Sequence, residues 1–300
     1  MYPHAFHYHR ATSIEQAVAL LSQLGGEARL LAGGQSLIPL MKMRLARPSD
    51  LVDINFLPGL AGIQERTGEL HFGALARHSD IEASEIAARV PIIHDCAAGI
   101  ADVQVRNQGT IGGSLAEADP SGDWAPVLLA LDTSIRCHGP KGERSVALAE
   151  FFKDAYTTVL GPAELLREVV IQMPPKKSGG AYLAFKRCAP VYASASAAVQ
   201  LTLGDKDTCA DARIVLGCLG MTAIRAKLAE AALRGTQLTP KAIETAAEAA
   251  RAAAEPQSDM RGSAEYKKRL VSVLVKRAIG IAARRARGEK VEASHEYVGR

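Results

Sequence analysis

Apolar positions along the chain switch between helical and strand spacing at short intervals. Thr12-x-x-Glu15 reads as a capping box, and Ile14, Ala17, Val18, Leu21 and Leu24 follow at the spacing of one helical face. Gly25-Gly26 stops that helix. Residues 28–31 have strand length and open directly into Gly33-Gly34. A second helix is predicted over 37–45, with Pro39 in its first turn, where a missing N–H is tolerated. Residues 51–54 close the unit as another strand, so the order strand, helix, strand implies parallel pairing through a crossover.

From about residue 58 the pattern changes. Thr67-Gly68 lies between two short alternating segments and predicts a hairpin turn. Ser79-x-x-Glu82 is a second capping box, and an Ala/Ile-rich helix is predicted over 92–104, followed by a helix over 124–131. Strands are predicted near 134–137, 145–147 and 168–173. The segment 174–180, Pro-Pro-Lys-Lys-Ser-Gly-Gly, reads as a linker. Beyond it come strands near 182–188, 194–203 and 210–219, then helices over 222–233, 239–254 and 263–287. The expectation is an α+β protein of three units: 1–57, 58–177 and a C-terminal sheet-plus-helices domain, 178–300.

Composition narrows the classes. A chain of 300 residues is about twice a usual domain and fits two or three packed units. With 48% hydrophobic and 23% charged residues, wholesale disorder is excluded. No apolar run approaches the roughly 18 residues of a membrane span, and the His- and Pro-bearing opening does not read as a signal peptide. The five cysteines include no C-x-x-C pair, which argues against a zinc site or a local iron–sulfur motif and fits reduced thiols in a cytosol. A net charge of +4 does not suggest nucleic-acid binding. It is uneven, however: residues 261–300 hold 11 Lys/Arg against 4 Asp/Glu, either a solvated helix or a docking face for an acidic partner.

The ordinary dinucleotide and P-loop glycine motifs are absent. Two similar short segments stand out instead, Ala32-Gly33-Gly34-Gln35-Ser36 and Thr110-Ile111-Gly112-Gly113-Ser114. Paired glycines admit positive φ and let an anion approach closely, and successive amides in such a turn form a nest of donors. Ser36 and Ser114 add hydroxyls, and Ser36 suits the N-cap of the helix after it. One Gly-Gly alone would be a tight turn; two matching ones, facing each other, could hold a pyrophosphate without metal or lysine. Downstream, Asp119-Pro120-Ser121-Gly122-Asp123 forces turns and leaves Asp123 at a helix start. There it reads either as a plain N-cap or as an acceptor for cofactor hydroxyls.

With these segments on view, the chain resembles the FAD-binding medium subunit of the molybdenum hydroxylases, the carbon monoxide dehydrogenase and xanthine dehydrogenase family. The similarity runs from Tyr8-His9-Arg10 through both glycine segments and Leu51-Val52-Asp53 to Ser258-Asp259-x-Arg261-Gly262-x-Ala264-Glu265-Tyr266. It implies the two-subdomain FAD-binding fold of the vanillyl-alcohol oxidase/p-cresol methylhydroxylase type, followed by a C-terminal antiparallel sheet with helices. Within that fold, 32–36 and 110–114 would wrap the FAD pyrophosphate and Asp123 would bind nearby hydroxyls. Leu160 and Lys186 would lie near the flavin, and Tyr192 would stack by its ring system. Read without the resemblance, those three are a core residue, a solvated strand cation and an edge aromatic. The second segment often ends in Asn in this family; Ser114 keeps a donor with shorter reach. No cysteine-rich insertion like that of benzoyl-CoA reductase medium subunits is present.

The implied activity is an oxidoreductase subunit with FAD as cofactor, no catalytic acid–base residues of its own and no metal. Electrons would come from a molybdenum-cofactor large subunit through an iron–sulfur small subunit and leave to an external acceptor. The implied assembly is a hetero-oligomer, for which a dimer of heterotrimers is one arrangement. It would be cytoplasmic, with any membrane association made through the complex. Two competitors are a self-sufficient flavin oxidoreductase, which would need a base beside the flavin, and a non-enzymatic module that holds a phosphate ligand. His4, His7 and His9 alternate as on one face of an extended strand rather than as a metal site, and the other histidines, His295 among them, are scattered. No G-x-S-x-G elbow supports acyl transfer, and Cys96 and Cys137 read as packing residues.

Overall fold

The structure, a computed structural model, describes residues 2–188, 190–293 and 296–297. His295 lies outside them. Three sheets follow one another along the chain. In the first, β1 (His7–Arg10), β2 (Ala28–Leu31) and β3 (Asp50–Asp53) pair in parallel in the order β1-β3-β2, with α1 (Ile14–Leu24) and α2 (Leu37–Lys42) as crossovers. Ala17, Val18 and Leu21 of α1 pack on Val52 and Leu165. Because β2 and β3 run parallel, the loop leaving β2 emerges at the carboxyl edge of the sheet, where open parallel sheets place ligands.

The second sheet is antiparallel, in the order β4-β5-β10-β6-β7. It uses β4 (Ile63–Arg66), β5 (Glu69–Gly73), β6 (Thr133–Gly139), β7 (Gly142–Ala147) and β10 (Leu165–Gln172), with the short pair β8 (Phe152–Asp154) and β9 (Thr157–Thr158) beside it. The helices between β5 and β6 are α3 (His78–Glu82), α4 (Glu85–Ala88), α5 (Pro91–Gly99), α6 (Val103–Gln108), α7 (Ile111–Glu117) and α8 (Trp124–Ala130), and α9 (Leu148–Phe151) follows β7. Thr67 and Gly68 both take positive φ (50° and 82°), the turn that matches strand twist in a two-residue hairpin.

In the third sheet, β11 (Ser178–Lys186), β12 (Ala195–Leu203), β13 (Cys209–Gly217) and β14 (Ile224–Arg225) are antiparallel, and β15 (Glu296–Tyr297) joins β11 in parallel. Its faces are covered on one side by α10 (Lys227–Leu233), α11 (Pro240–Ala253) and α12 (Ala264–Ala286), and on the other by the second unit. Tyr182, Ala184, Ala198 and Val215 belong to the core of the second unit, while Ala181, Leu183, Val199 and Ile214 face the helices, as strand alternation requires.

Several local expectations shift. The first cap is one residue later: the Ser13 hydroxyl accepts from the Gln16 amide, and the Gln16 side chain turns back to the Thr12 amide at 2.6 Å. Ser79 caps nothing, because the chain before it is already pinned: Arg77 bridges Thr110, and the His78 amide donates to the Gly109 carbonyl, so α3 starts at His78. The predicted helix 92–104 breaks at Gly99. Ala101 takes φ 41°, and Asp102 caps α6 by accepting from the Val105 amide at 2.9 Å. The predicted linker is half strand. Gly179 lies against the Ala282 carbonyl of α12 and Gly180 against Gln200 and Ile92, so these glycines serve close packing rather than flexibility. The predicted helix 222–233 holds β14 before α10 begins.

Candidate functional site

The first glycine segment links the end of β2 to α2. Gly34 takes φ 72°, which turns the chain there. The amides of Gly33, Gly34, Gln35 and Ser36 donate to no protein acceptor among the described residues. Ser36 occupies the N-cap position of α2, yet its backbone is helical and its hydroxyl caps nothing, so the expected cap is not made. Four successive amides and a hydroxyl are therefore left without described partners on residues that line one cavity, a donor set suited to an anion.

The second segment is built differently. Thr110 is the N-cap of α7, its hydroxyl accepting from the Gly113 amide at 3.1 Å. The Ile111 amide donates to the Ala76 carbonyl, the Gly112 amide to the Ala74 carbonyl, and the Ser114 amide to the Thr110 carbonyl. All four amides are thus spent within the protein, and neither glycine has positive φ. This corrects the expectation of two matched nests. Gly112 is glycine because a Cβ would meet the Ala74 Cβ at 2.6 Å, and Gly113 because it would meet the Thr110 hydroxyl at 2.7 Å. The second segment supplies a floor without side chains, together with the Ser114 hydroxyl, which bonds to no described residue.

Two adjoining cavities result, about 320 and 260 Å³, and both are lined by Gln35, Ser36, Ser114 and Glu117. The larger holds Ala32, Gly33, Gly34, Thr110, Gly112, Gly113 and Leu160 on its wall. The smaller holds Asp123, Lys186 and Tyr192. Of the predicted residues only Ile111 faces neither; it is fully buried beneath its loop.

Charge in the smaller cavity is organised by Asp123. Its backbone stands at the start of α8, but its side chain makes no cap hydrogen bond. Instead Oδ1 accepts from the Tyr182 hydroxyl at 2.6 Å and lies 3.5 Å from the Lys186 ammonium. Lys186, only 1% exposed, also donates to the Gly99 carbonyl at 2.6 Å. Neither the plain N-cap nor the solvated strand cation describes these residues. No described donor reaches Asp123 Oδ2, which leaves one carboxylate oxygen for a ligand. The Tyr192 ring is half-exposed, and burial together with Asp119 raises its hydroxyl pKa; the Arg261 guanidinium lies 5.5 Å from the ring centre. Leu160 packs partly on the core and donates its amide to Thr158.

Sequence reasoning missed Tyr182, Glu117 and the pair Asn55 and Arg77. Glu117 lines both cavities, and burial with Asp119 nearby raises its pKa. Only Glu117 carried a signal, its place three residues past the second segment. Elsewhere, Asp50 lies 2.6 Å from His9, a carboxylate that parallel pairing brings in from β3. Cys96 and Cys137 are core residues, and burial pushes the Cys137 thiol up to about 11. Much of the basic tail is spent internally: Lys267 on Asp259 at 2.8 Å, Lys276 on Glu244, and Arg285 on Asp95.

Residues 4–174 match the family model described as the FAD binding domain in molybdopterin dehydrogenase, and 180–282 match the CO dehydrogenase flavoprotein C-terminal domain. The chain is 42% identical to the carbon monoxide dehydrogenase medium chain of Afipia carboxidovorans, over 96% of this chain and all of that one. It is 40% identical to the 6-hydroxypseudooxynicotine dehydrogenase complex subunit alpha of Paenarthrobacter nicotinovorans, over 98% of this chain and all of that one. The carbon monoxide dehydrogenase structure from Hydrogenophaga pseudoflava that lacks the Mo-pyranopterin moiety superposes with a TM-score of 0.91 at 42% identity. That match covers 94% of this chain and 98% of the other.

Proposed function

Since the chain belongs to the family of FAD-binding medium subunits of molybdenum hydroxylases, we propose that its first glycine segment binds the FAD pyrophosphate and its second walls the site without donating backbone amides. It is the FAD subunit of an oxidoreductase complex with iron–sulfur and molybdenum-cofactor subunits. When bound, FAD supplies the electron junction between the iron–sulfur subunit and an external acceptor. The protein's part is to hold and orient it. The observation that carries this assignment is the row of four unspent amides, Gly33 to Ser36, opening on a cavity that continues to Asp123, Lys186 and Tyr192.

Free amides and the Ser36 and Ser114 hydroxyls suit phosphate oxygens, and the open Asp123 oxygen and Glu117 suit sugar or ribityl hydroxyls. Leu160, Lys186 and Tyr192 would complete the flavin end, the half-exposed Tyr192 ring offering a stacking face. We place the unit divisions at 57/58 and 177/178, which puts both glycine segments in the first two units and Lys186 and Tyr192 in the third. No helix among the described residues is long and apolar enough to cross a membrane, and we assign the complex to the cytoplasm. Titration of the apo-chain with FAD, followed by flavin fluorescence, should show one site for which ADP competes. Failure of ADP to compete, with FAD still bound, would move the pyrophosphate away from this segment. Sustained oxidation of an organic substrate by the purified single chain would contradict the subunit role.

A further inference from the structure

The two glycine segments belong to different units, and a side-chain bridge joins the strands of chain that lead into them. Asn55, just past β3, donates from Nδ2 to the Ala32 carbonyl at 2.8 Å and the Leu31 carbonyl at 3.2 Å, the entry to the first segment. Its Oδ1 accepts from Arg77 Nη2 at 2.7 Å. The other arm of that guanidinium, Nη1, donates to the Gln108 carbonyl, two residues before the second segment. The segments meet at the same place: a Cβ on Gly33 would run into the Gln108 carbonyl and lie 2.8 Å from the Gly109 Cα. Asn55 is itself held, its amide donating to Asp53 Oδ1, while Asp53 Oδ2 accepts from the Tyr8 hydroxyl at 2.7 Å.

We infer that Asn55 and Arg77 form a clip that sets the spacing of the two segments and thereby the affinity for a pyrophosphate-bearing dinucleotide. The inference rests on the reading that the first segment holds that pyrophosphate while the second walls it. Neither residue lines either cavity, so both are positioning residues that act through the loop backbones. The chemistry of the pair fits this task. A guanidinium fork spans two acceptors in one plane, and a carboxamide donates and accepts at once, so two side chains join three backbone carbonyls from two units. A lysine at 77 would keep the charge but reach one acceptor at a time.

The test uses the full apo-chain titrated with FAD, ADP and riboflavin. Wild type should bind FAD and ADP; if it binds neither, the underlying reading fails and the clip is not at issue. Given wild-type binding, Asn55→Ala and Arg77→Lys, which both retain the charge, should each weaken FAD and ADP by about tenfold, the loss expected for misplaced donors to a charged group. The loss should not vanish at high salt, as a long-range attraction would. The double variant should be no weaker than the poorer single variant, because the two side chains act as one unit. Riboflavin, which has no phosphate, should lose less than either. Affinities within about twofold of wild type, even with lowered melting temperatures, would reduce the clip to a structural contact and overturn the inference. Equal losses for riboflavin and ADP, or additive losses in the double variant, would overturn it too. Should Arg77→Lys not fold, Asn55→Ala against ADP and riboflavin decides alone.

Discussion

Removing the Asp123 carboxylate would leave the Lys186 ammonium buried with, among the described residues, only the Gly99 carbonyl as partner. Breaking a buried pair in that way costs about 3–5 kcal/mol, whereas removing both charges is far milder. Asp123→Ala should therefore lower the apo-chain's denaturation midpoint as well as its FAD affinity, and Asp123→Ala with Lys186→Met should recover much of the midpoint but not the affinity. Tyr182→Phe deletes one hydrogen bond to the carboxylate and should cost about 1–2 kcal/mol by the same denaturation measurement. Position alone made Asp123 legible as a helix start; its real partners come from β11, at a sequence distance no local pattern spans. His78 sets a pH dependence. Its ring accepts from Trp124 Nε1 at 3.1 Å, and burial lowers its pKa from 6.5 to about 4. The unfolded chain then binds the extra proton first, so stability is full above about pH 6.5 and falls as pH drops towards 4, by roughly 3 kcal/mol. Denaturation at pH 7 and pH 5 should show the loss, and His78→Gln should show less of it.

At the scale of elements, two segments that look alike in sequence do unlike work. The first glycine pair was legible as a turn and the strand before it was read correctly, whereas the second pair lies inside α7. What decides between them is the Ala74 and Ala76 carbonyls, which take the Gly112 and Ile111 amides from a part of the chain that carries no motif, and Thr110, which takes the other two. The two pairs should respond differently to alanine. Gly112→Ala forces a Cβ against Ala74 and should cost about 1–3 kcal/mol in the apo-chain, like other overpacked sites. Gly34→Ala imposes a positive φ on a residue with a Cβ, about 1–2 kcal/mol, and should additionally weaken FAD by turning the free amides. Thermal melts with and without FAD separate the two, since a ligand adds stability only as far as its affinity survives. The break after Gly99 was illegible for a similar reason. The Gly99 carbonyl takes the Lys186 ammonium, a contact set by the third unit.

Across the whole molecule, the third unit is locked to the second through a buried ion pair. Arg285 near the end of α12 makes two bonds to the Asp95 carboxylate of α5, at 2.6 and 2.9 Å, and a third to the Gly180 carbonyl. Part of the basic tail, legible in sequence only as surplus charge, is thus interior. Arg285→Met should cost about 3–5 kcal/mol in urea denaturation and expose the inter-unit boundary to limited proteolysis. The order of sheets and helices was readable because each buries one periodic face; the contacts between units were not, because a buried face does not name its partner and the polar links across the boundary are single residues. The central claim is that FAD is held by the first segment's amides and only walled by the second's. It is tested most directly by assigned amide spectra of the full chain labelled with ¹⁵N-glycine, recorded before and after addition of FAD. Gly33 and Gly34 should move strongly downfield as their N–H groups gain phosphate acceptors, while Gly112 and Gly113 move little. Large downfield shifts at Gly112 and Gly113, with Gly33 and Gly34 unmoved, would contradict it.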